Sequence, residues 1–197
     1  MINNNSNLLK SILILAANPK GTSKLRLDEE VREIDNGLQR CQKREQFLLK
    51  QQWAVRPRDI YRAILDLRPQ IVHFCGHGNG DKGLAFEDES GQTTLVSTEA
   101  LSNLFQLFAL HVECVFLNAC YSEVQAKVIS KHIDYVIGMT QGIGDKAAIN
   151  FAVGFYDALG AGQSYDFAFN LGCVAIQIAG ISEENIPVLK KNDDYHG

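Results

Sequence analysis

The sequence has no excess of positive charge: 19 lysines and arginines face 23 aspartates and glutamates, a formal net charge of -4. A chain that tracks a phosphate backbone needs a basic face, so nucleic acid is not an expected partner. Nor is there an apolar run long enough to span a bilayer. The most apolar stretch, residues 167–181, is interrupted by Asn170 and Gln177, and no membrane association is expected. The segment Ser11 to Ala17 behind Lys10 has some character of a signal-peptide core. It is short, however, and runs straight into Asn18, Pro19 and charged sequence, which reads as a buried first strand. Disulfide spacing is missing too: the five cysteines, Cys41, Cys75, Cys114, Cys120 and Cys173, are odd in number and scattered, which fits a reducing cytoplasm. There is no internal repeat or low-complexity tract. The glycines between 76 and 83 lack the Gly-Lys-Ser/Thr ending of a phosphate-binding loop.

What is present is ordinary for a folded domain, with 46% apolar and 21% charged residues in 197. That length buries a substantial core in one domain. The expected division is a polar N-terminal tail over 1–10, one domain over 11–181, and a charged C-terminal tail over 182–197. Within the domain, strands and helices alternate. The run Ile12 to Ala17 reads as a strand, and Leu27, Val31, Ile34 and Leu38 recur at helical spacing. Phe47 to Val55 predicts a second strand, and Pro57 opens a helix carrying Ile60 and Ile64. Ile71 to Cys75, Cys114 to Leu117 and Tyr135 to Met139 read as short buried strands. Leu84 to Phe86 and Thr93 to Val96 suggest a hairpin excursion. Helices are predicted around Leu101 to Phe108, over 145–159 and from Ser164. Strands apolar on both faces and separated by helices imply an α/β three-layer sandwich around a mainly parallel sheet.

In such sheets chemistry collects beyond the carboxyl ends of the strands. Two segments place reactive side chains there: His73-Phe-Cys-Gly-His77-Gly78 and Leu117-Asn-Ala-Cys120-Tyr-Ser122. Cys120, ahead of a helix that Ser122 is suited to cap, is a candidate nucleophile whose thiolate a helix dipole would favour. His77, flanked by glycines, is a candidate acid and base for it. The amides of Gly78 and Cys120 are candidates to hold an oxyanion. Asp145 opens the helix at 145 and suits two roles, its N-cap or a carboxylate in a substrate pocket. His73 is expected in the core or behind the site, and Asp81, Glu87 and Asp88 as solvated loop charges or cleft residues. A zinc site drawing on His73, Cys75 and His77 with Cys114 or Cys120 is an alternative, but His-x-Cys-x-His lacks the usual ligand spacing.

The order of strand, H-F-x-G-H-G, hairpin, helix, and strand ending in L-N-A-C resembles the caspase-like superfamily of cysteine peptidases. More narrowly, it is similar to the CHAT domain, a prokaryotic branch related to separase and the caspases. The likeness extends through I-L-I-L-A-A-N-P, G-L-A-F-E-D, V-S-T-E-A-L, V-F-L-N-A-C, V-I-G-M-T and F-A-V-G-F-Y-D-A-L-G-A-G. It implies a caspase-like fold, His77 and Cys120 as the catalytic pair, and Gly78 and Cys120 as oxyanion donors. It further implies a regulated endopeptidase acting on a protein substrate in bacterial signalling or defence, with a regulatory partner domain or subunit and no cofactor. Caspases proper carry Q-A-C-x-G. Here Asn118 replaces the glutamine and Ser122 the glycine, and no lysine or arginine lies between Gly138 and Gly144, which counts against aspartate specificity. Two other readings fit the element order: a catalytically silent CHAT-like assembly module, and a flavodoxin-like nucleotide-binding domain with a phosphate turn at Asn18 to Ser23.

Overall fold

The computed structural model describes residues 9–192, so residues 1–8 of the expected N-terminal tail and 193–197 of the expected C-terminal one lie outside it. Burial on both faces explains the unbroken apolar runs. In β1 (Lys10–Ala16), Ile12, Ile14 and Ala16 face one helical layer, and Leu13 and Leu15 face the other. The same alternation runs through β3 (Ile71–Cys75), β7 (Cys114–Asn118) and β8 (Tyr135–Met139). With β2 (Phe47–Trp53) these strands form a parallel sheet in the order β2-β1-β3-β7-β8, extended by β9 (Pro187–Lys191).

Helices α1 (Leu27–Arg40), α5 (Asp145–Gly160) and α6 (Tyr165–Ile178) cover one face. Helices α2 (Pro57–Leu67), α3 (Thr98–Phe108) and α4 (Glu123–Ile129) cover the other. This is the three-layer α/β sandwich that the alternation predicts. Phe116 centres the first layer's core, stacked 4.1 Å from His73 and meeting Phe151 and Phe155 edge-on at 5.4 Å. Among the described residues no helix is long and apolar enough to cross a membrane.

Three local expectations change. The charged segment taken as a tail from 182 instead supplies β9, antiparallel to β8 with Pro187 opposite Met139 and Lys191 opposite Tyr135. Lys190 and Lys191 gave it the look of a tail, yet they suit an edge strand, where they pair with Glu123 and Asp166. Ser122 precedes α4 but does not cap it with its side chain. Its buried hydroxyl donates to the Leu117 carbonyl at 2.9 Å and accepts from the Met139 amide at 3.0 Å, tying β7 to β8. Asp145 is the first residue of α5 and not its cap; Gly144 holds that position, its amide donating to Glu183 at 2.7 Å.

The sheet positions two loops. Cys75 stands opposite Asn118 in the β3–β7 pair, so the segments that follow leave side by side. After β3 the chain forms β4 (His77–Gly78), which pairs antiparallel with β5 (Leu84–Glu87), itself paired with β6 (Thr93–Val96): the expected hairpin excursion.

Replacing Ser122 by alanine strands the buried Met139 amide and takes from the Leu117 carbonyl one of its two donors, leaving it the Ala119 amide. Urea unfolding is expected to show a loss of about 2 kcal/mol; a change too small to measure would mean that these groups find other partners.

Candidate active site

His77 and Cys120 line one cavity of about 310 Å³, whose walls also include Leu25, Leu27, Glu30, Asn118, Ile143, Asp145 and Ala148. The loops carrying them are packed backbone to backbone. A Cβ on Gly78 would come within 2.0 Å of the Cys120 carbonyl, and one on Gly76 within 2.6 Å of the Ala17 carbonyl. Only glycine lets the first chain run this close to the second. The Gly76 amide also donates to Asn118 at 3.3 Å, holding the exit of β3 against the end of β7.

Hydrogen bonding in the small sheet bears on the amides at the site. Asn79 donates to Gly83 at 2.9 Å, and Gly78 pairs with Leu84. Because antiparallel pairs alternate, the Gly78 amide points away from β5. The Cys120 amide donates to no acceptor among the described residues, whereas its neighbours Ala119 and Tyr121 donate to Leu117 and Gln141. Tyr121 takes a left-handed conformation, φ 56°, which sets a sharp turn directly after Cys120. The Cys120 thiol lies 3.9 Å from the Ile143 carbonyl. The helix expected beneath it, α4, begins three residues later and has only seven residues.

The His77 ring is held by the loop after β1. Its Nε2 lies 3.2 Å from Asn18 Oδ1, a contact in which the ring donates when the proton is on Nε2, the tautomer that keeps Nδ1 as an acceptor. Partial burial lowers the pKa of His77 from the usual 6.5, opposed by a backbone contact to Ser23 and the charge of Asp145. The imidazole is therefore mainly neutral at pH 7. The Asn18 to Ser23 segment, weighed above as a phosphate turn, thus contributes to the surroundings of a histidine.

Asp145 lines the cavity, partly exposed, with Arg26 Nε 3.7 Å from its carboxylate. His73 is fully buried, as expected, with Nδ1 3.2 Å from the Tyr156 hydroxyl. Asp88 instead organises the β5–β6 turn through Ser90 and Gln92, and Glu87 accepts from the Asn18 amide at 3.3 Å. Cys75 faces the core, where burial pushes its pKa well up. Among the described residues no group of three or more His, Cys, Asp or Glu side chains is arranged to hold a metal ion.

Sequence reasoning missed Glu30, a buried carboxylate on the cavity wall. Its Oε1 accepts from Asn118 Nδ2 at 2.7 Å and lies 3.1 Å from His73 Nε2, though off the line of that N–H. A signal was available: Glu30 falls on the Leu27, Val31, Ile34, Leu38 stripe, where a charge is out of place.

Comparison with known proteins bears on this arrangement. The chain is 26% identical over 201 residues to a Roc-COR-CHAT protease from an unknown prokaryote, covering 94% of this chain and 19% of that protein. It is 26% identical over 204 residues to a probable protease of Gillisia limnaea, covering 95% and 36% respectively. It therefore spans well under half the length of either relative. Among solved structures, the Arg-specific cysteine proteinase gingipain R superposes with a TM-score of 0.62 at 12% identity, over 91% of this chain and 44% of that one. The Drosophila initiator caspase Dronc superposes with a TM-score of 0.60 at 8% identity, over 95% and 81%. These likenesses show a caspase-like fold. Since residues 3–170 match the family model of the CHAT domain, this chain belongs to the CHAT domain family.

Proposed function

We propose that this chain is a cysteine endopeptidase acting on a protein substrate, with Cys120 as nucleophile and His77 as acid and base. The observation that carries the proposal is the backbone contact of Gly78 with Cys120, which brings the His77 loop against the nucleophile's loop on one cavity. The protease names of both curated relatives support it. His77 Nδ1 takes the thiol proton as Sγ attacks the carbonyl carbon of the scissile bond. The amides of Gly78 and Cys120 donate to the oxygen that gains charge. The imidazolium then protonates the departing amine, leaving a thioester. Water, deprotonated by His77, hydrolyses the thioester and releases the acid and the free thiol. Asn18 holds the ring in the tautomer this sequence of steps needs. No step calls for a cofactor. Because the chain makes up a fraction of each curated relative, a further domain or subunit is the proposed regulator, in a cytoplasmic signalling or defence pathway of a prokaryote.

Peptidyl electrophiles carrying Arg, Lys, Leu or Asp beside the warhead are expected to label the wild type and not Cys120→Ala. Label that persists on Cys120→Ala, or is absent from every resting and activated form of the wild type, would sink the proposal and leave the assembly-module reading standing. Gly78→Ala forces the two backbones apart, and labelling is expected to slow by about 100-fold or more. The acid limb of kcat/KM reports the free enzyme's base, so it is expected below pH 6.5. Asp145→Asn removes a charge that favours the imidazolium and should move that limb further down; an upward move contradicts the assignment.

A further inference from the structure

The loop between β1 and α1 carries Asn18, whose side chain meets the His77 ring, yet the loop has little structure of its own. Thr22 folds back on the Pro19 carbonyl, its hydroxyl donating at 2.7 Å. Among the described residues, the hydrogen bonds that tie residues 18–22 to other elements run to the β5–β6 hairpin or to His77. The Asn18 amide donates to Glu87 Oε1 at 3.3 Å, and the Lys20 amide to the Gly91 carbonyl at 2.9 Å. Lys20 Nζ reaches the Ser90 carbonyl at 2.7 Å, and Thr93 Oγ1 donates to the Lys20 carbonyl at 3.4 Å.

The hairpin is a stiff support for this loop. Leu84, Ala85 and Phe86 are buried, the Glu87 amide donates to the Val55 carbonyl at 2.9 Å, and Arg56 and Arg58 pair with Glu89. The Asp88 carboxylate closes the turn on the Ser90 and Gln92 amides at 2.7 and 2.9 Å, which presents the Ser90 and Gly91 carbonyls to Lys20. A Cβ on Gly91 would stand 3.7 Å from Glu87 Oε2 and 3.3 Å from Lys20 Cε, so the half-buried Glu87 carboxylate is enclosed between loop and turn. A carboxylate that accepts a main-chain amide makes a charge-assisted bond, stronger than a neutral one. The strand to which Glu87 belongs matters most. β5 pairs with the main chain of His77 at Ala85 and, two residues on, receives Asn18 at Glu87. One strand thus fixes both partners of the ring contact.

We propose that Glu87 is a positioning residue for the reaction: it seats Asn18 on the strand that carries His77 and so sets the imidazole against Cys120. Its effect on rate rests on Cys120 and His77 being the catalytic pair; its effect on the ring does not. Glu87 is not among the residues that line the cavity, and it acts through Asn18 alone.

The first test reads the ring directly, by long-range proton–nitrogen NMR of the His77 imidazole in the wild type, Asn18→Ala, Glu87→Ala and Glu87→Gln. The neutral wild-type ring is expected to carry its proton on Nε2. In Glu87→Ala the share protonated on Nδ1 is expected to rise, as in Asn18→Ala. Glu87→Gln keeps an oxygen acceptor and is expected to restore the wild-type spectrum. A wild-type ring protonated on Nδ1 overturns the proposal without any variant. So does a Glu87→Ala ring identical to the wild type, or a Glu87→Gln ring no closer to it than Glu87→Ala. The second test measures the limiting rate of Cys120 labelling by a peptidyl electrophile, and the concentration that gives half of it. Glu87→Ala is expected to lower the limiting rate by about tenfold or more while the half-saturating concentration stays within about twofold. Added to Asn18→Ala it is expected to cost nothing further, because both changes break one link. Losses that multiply overturn the proposal. A ring that responds to Glu87→Ala in a protein whose Cys120 takes no label supports the seating and removes the peptidase reading. Labelling that is indifferent to Glu87→Ala leaves the peptidase reading and removes the positioning role.

Discussion

The register between β3 and β7, with Cys75 opposite Asn118, determines where everything else at the site can be. Parallel neighbours release their chains at the same end of the sheet, so the residues that follow must share a small space. Gly76 and Gly78 make that sharing possible, one passing the Ala17 carbonyl and the other the Cys120 carbonyl. A slip of one residue would reverse every side chain of one strand, sending His73 into the wrong layer and taking Asn118 away from Glu30. Burial on both faces guards the register, because each strand has apolar partners above and below.

A polar chain lies within this apolar frame, from Tyr156 on α5 through His73 on β3 to Glu30 on α1 and Asn118 on β7. It links one helical layer to the two strands that carry the site. Buried polar groups of this kind contribute little net stability, but they penalise arrangements that leave them unpaired. The chain ends at Asn118, two residues before Cys120, and there the pairing is incomplete. Pairing is also incomplete deeper in the interior, at His73 Nε2.

Much of this could be read from the sequence, for a physical reason. Strands covered on both faces must be apolar throughout, so Ile12 to Ala17, Ile71 to Cys75 and Cys114 to Leu117 stood out, and with them the positions of His77 and Cys120 at strand ends. What was missed depended on contacts between residues far apart in the chain. Asn18 meets His77 across 59 positions, and Ser122 meets the Met139 amide across 17. Neither pairing has a local signature, and a serine before a helix reads as a cap. Gly144 was passed over because an aspartate follows it. The last strand was hidden by its lysines, which an edge position tolerates and a central one does not. Glu30 did leave a trace, a carboxylate on an apolar stripe, and only the fold shows that it faces a cavity.

The antiparallel direction of β9 has a topological consequence. It runs from Pro187, beside the end of β8 near the cleft, to Lys191, beside the start of β8. Lys10 opens β1 at that same far end of the sheet. Both described termini therefore lie at the pole opposite Cys120. Neither β9 nor the opening residue of β1 adds a side chain to the wall of the cavity, which is built at the other pole of the sheet.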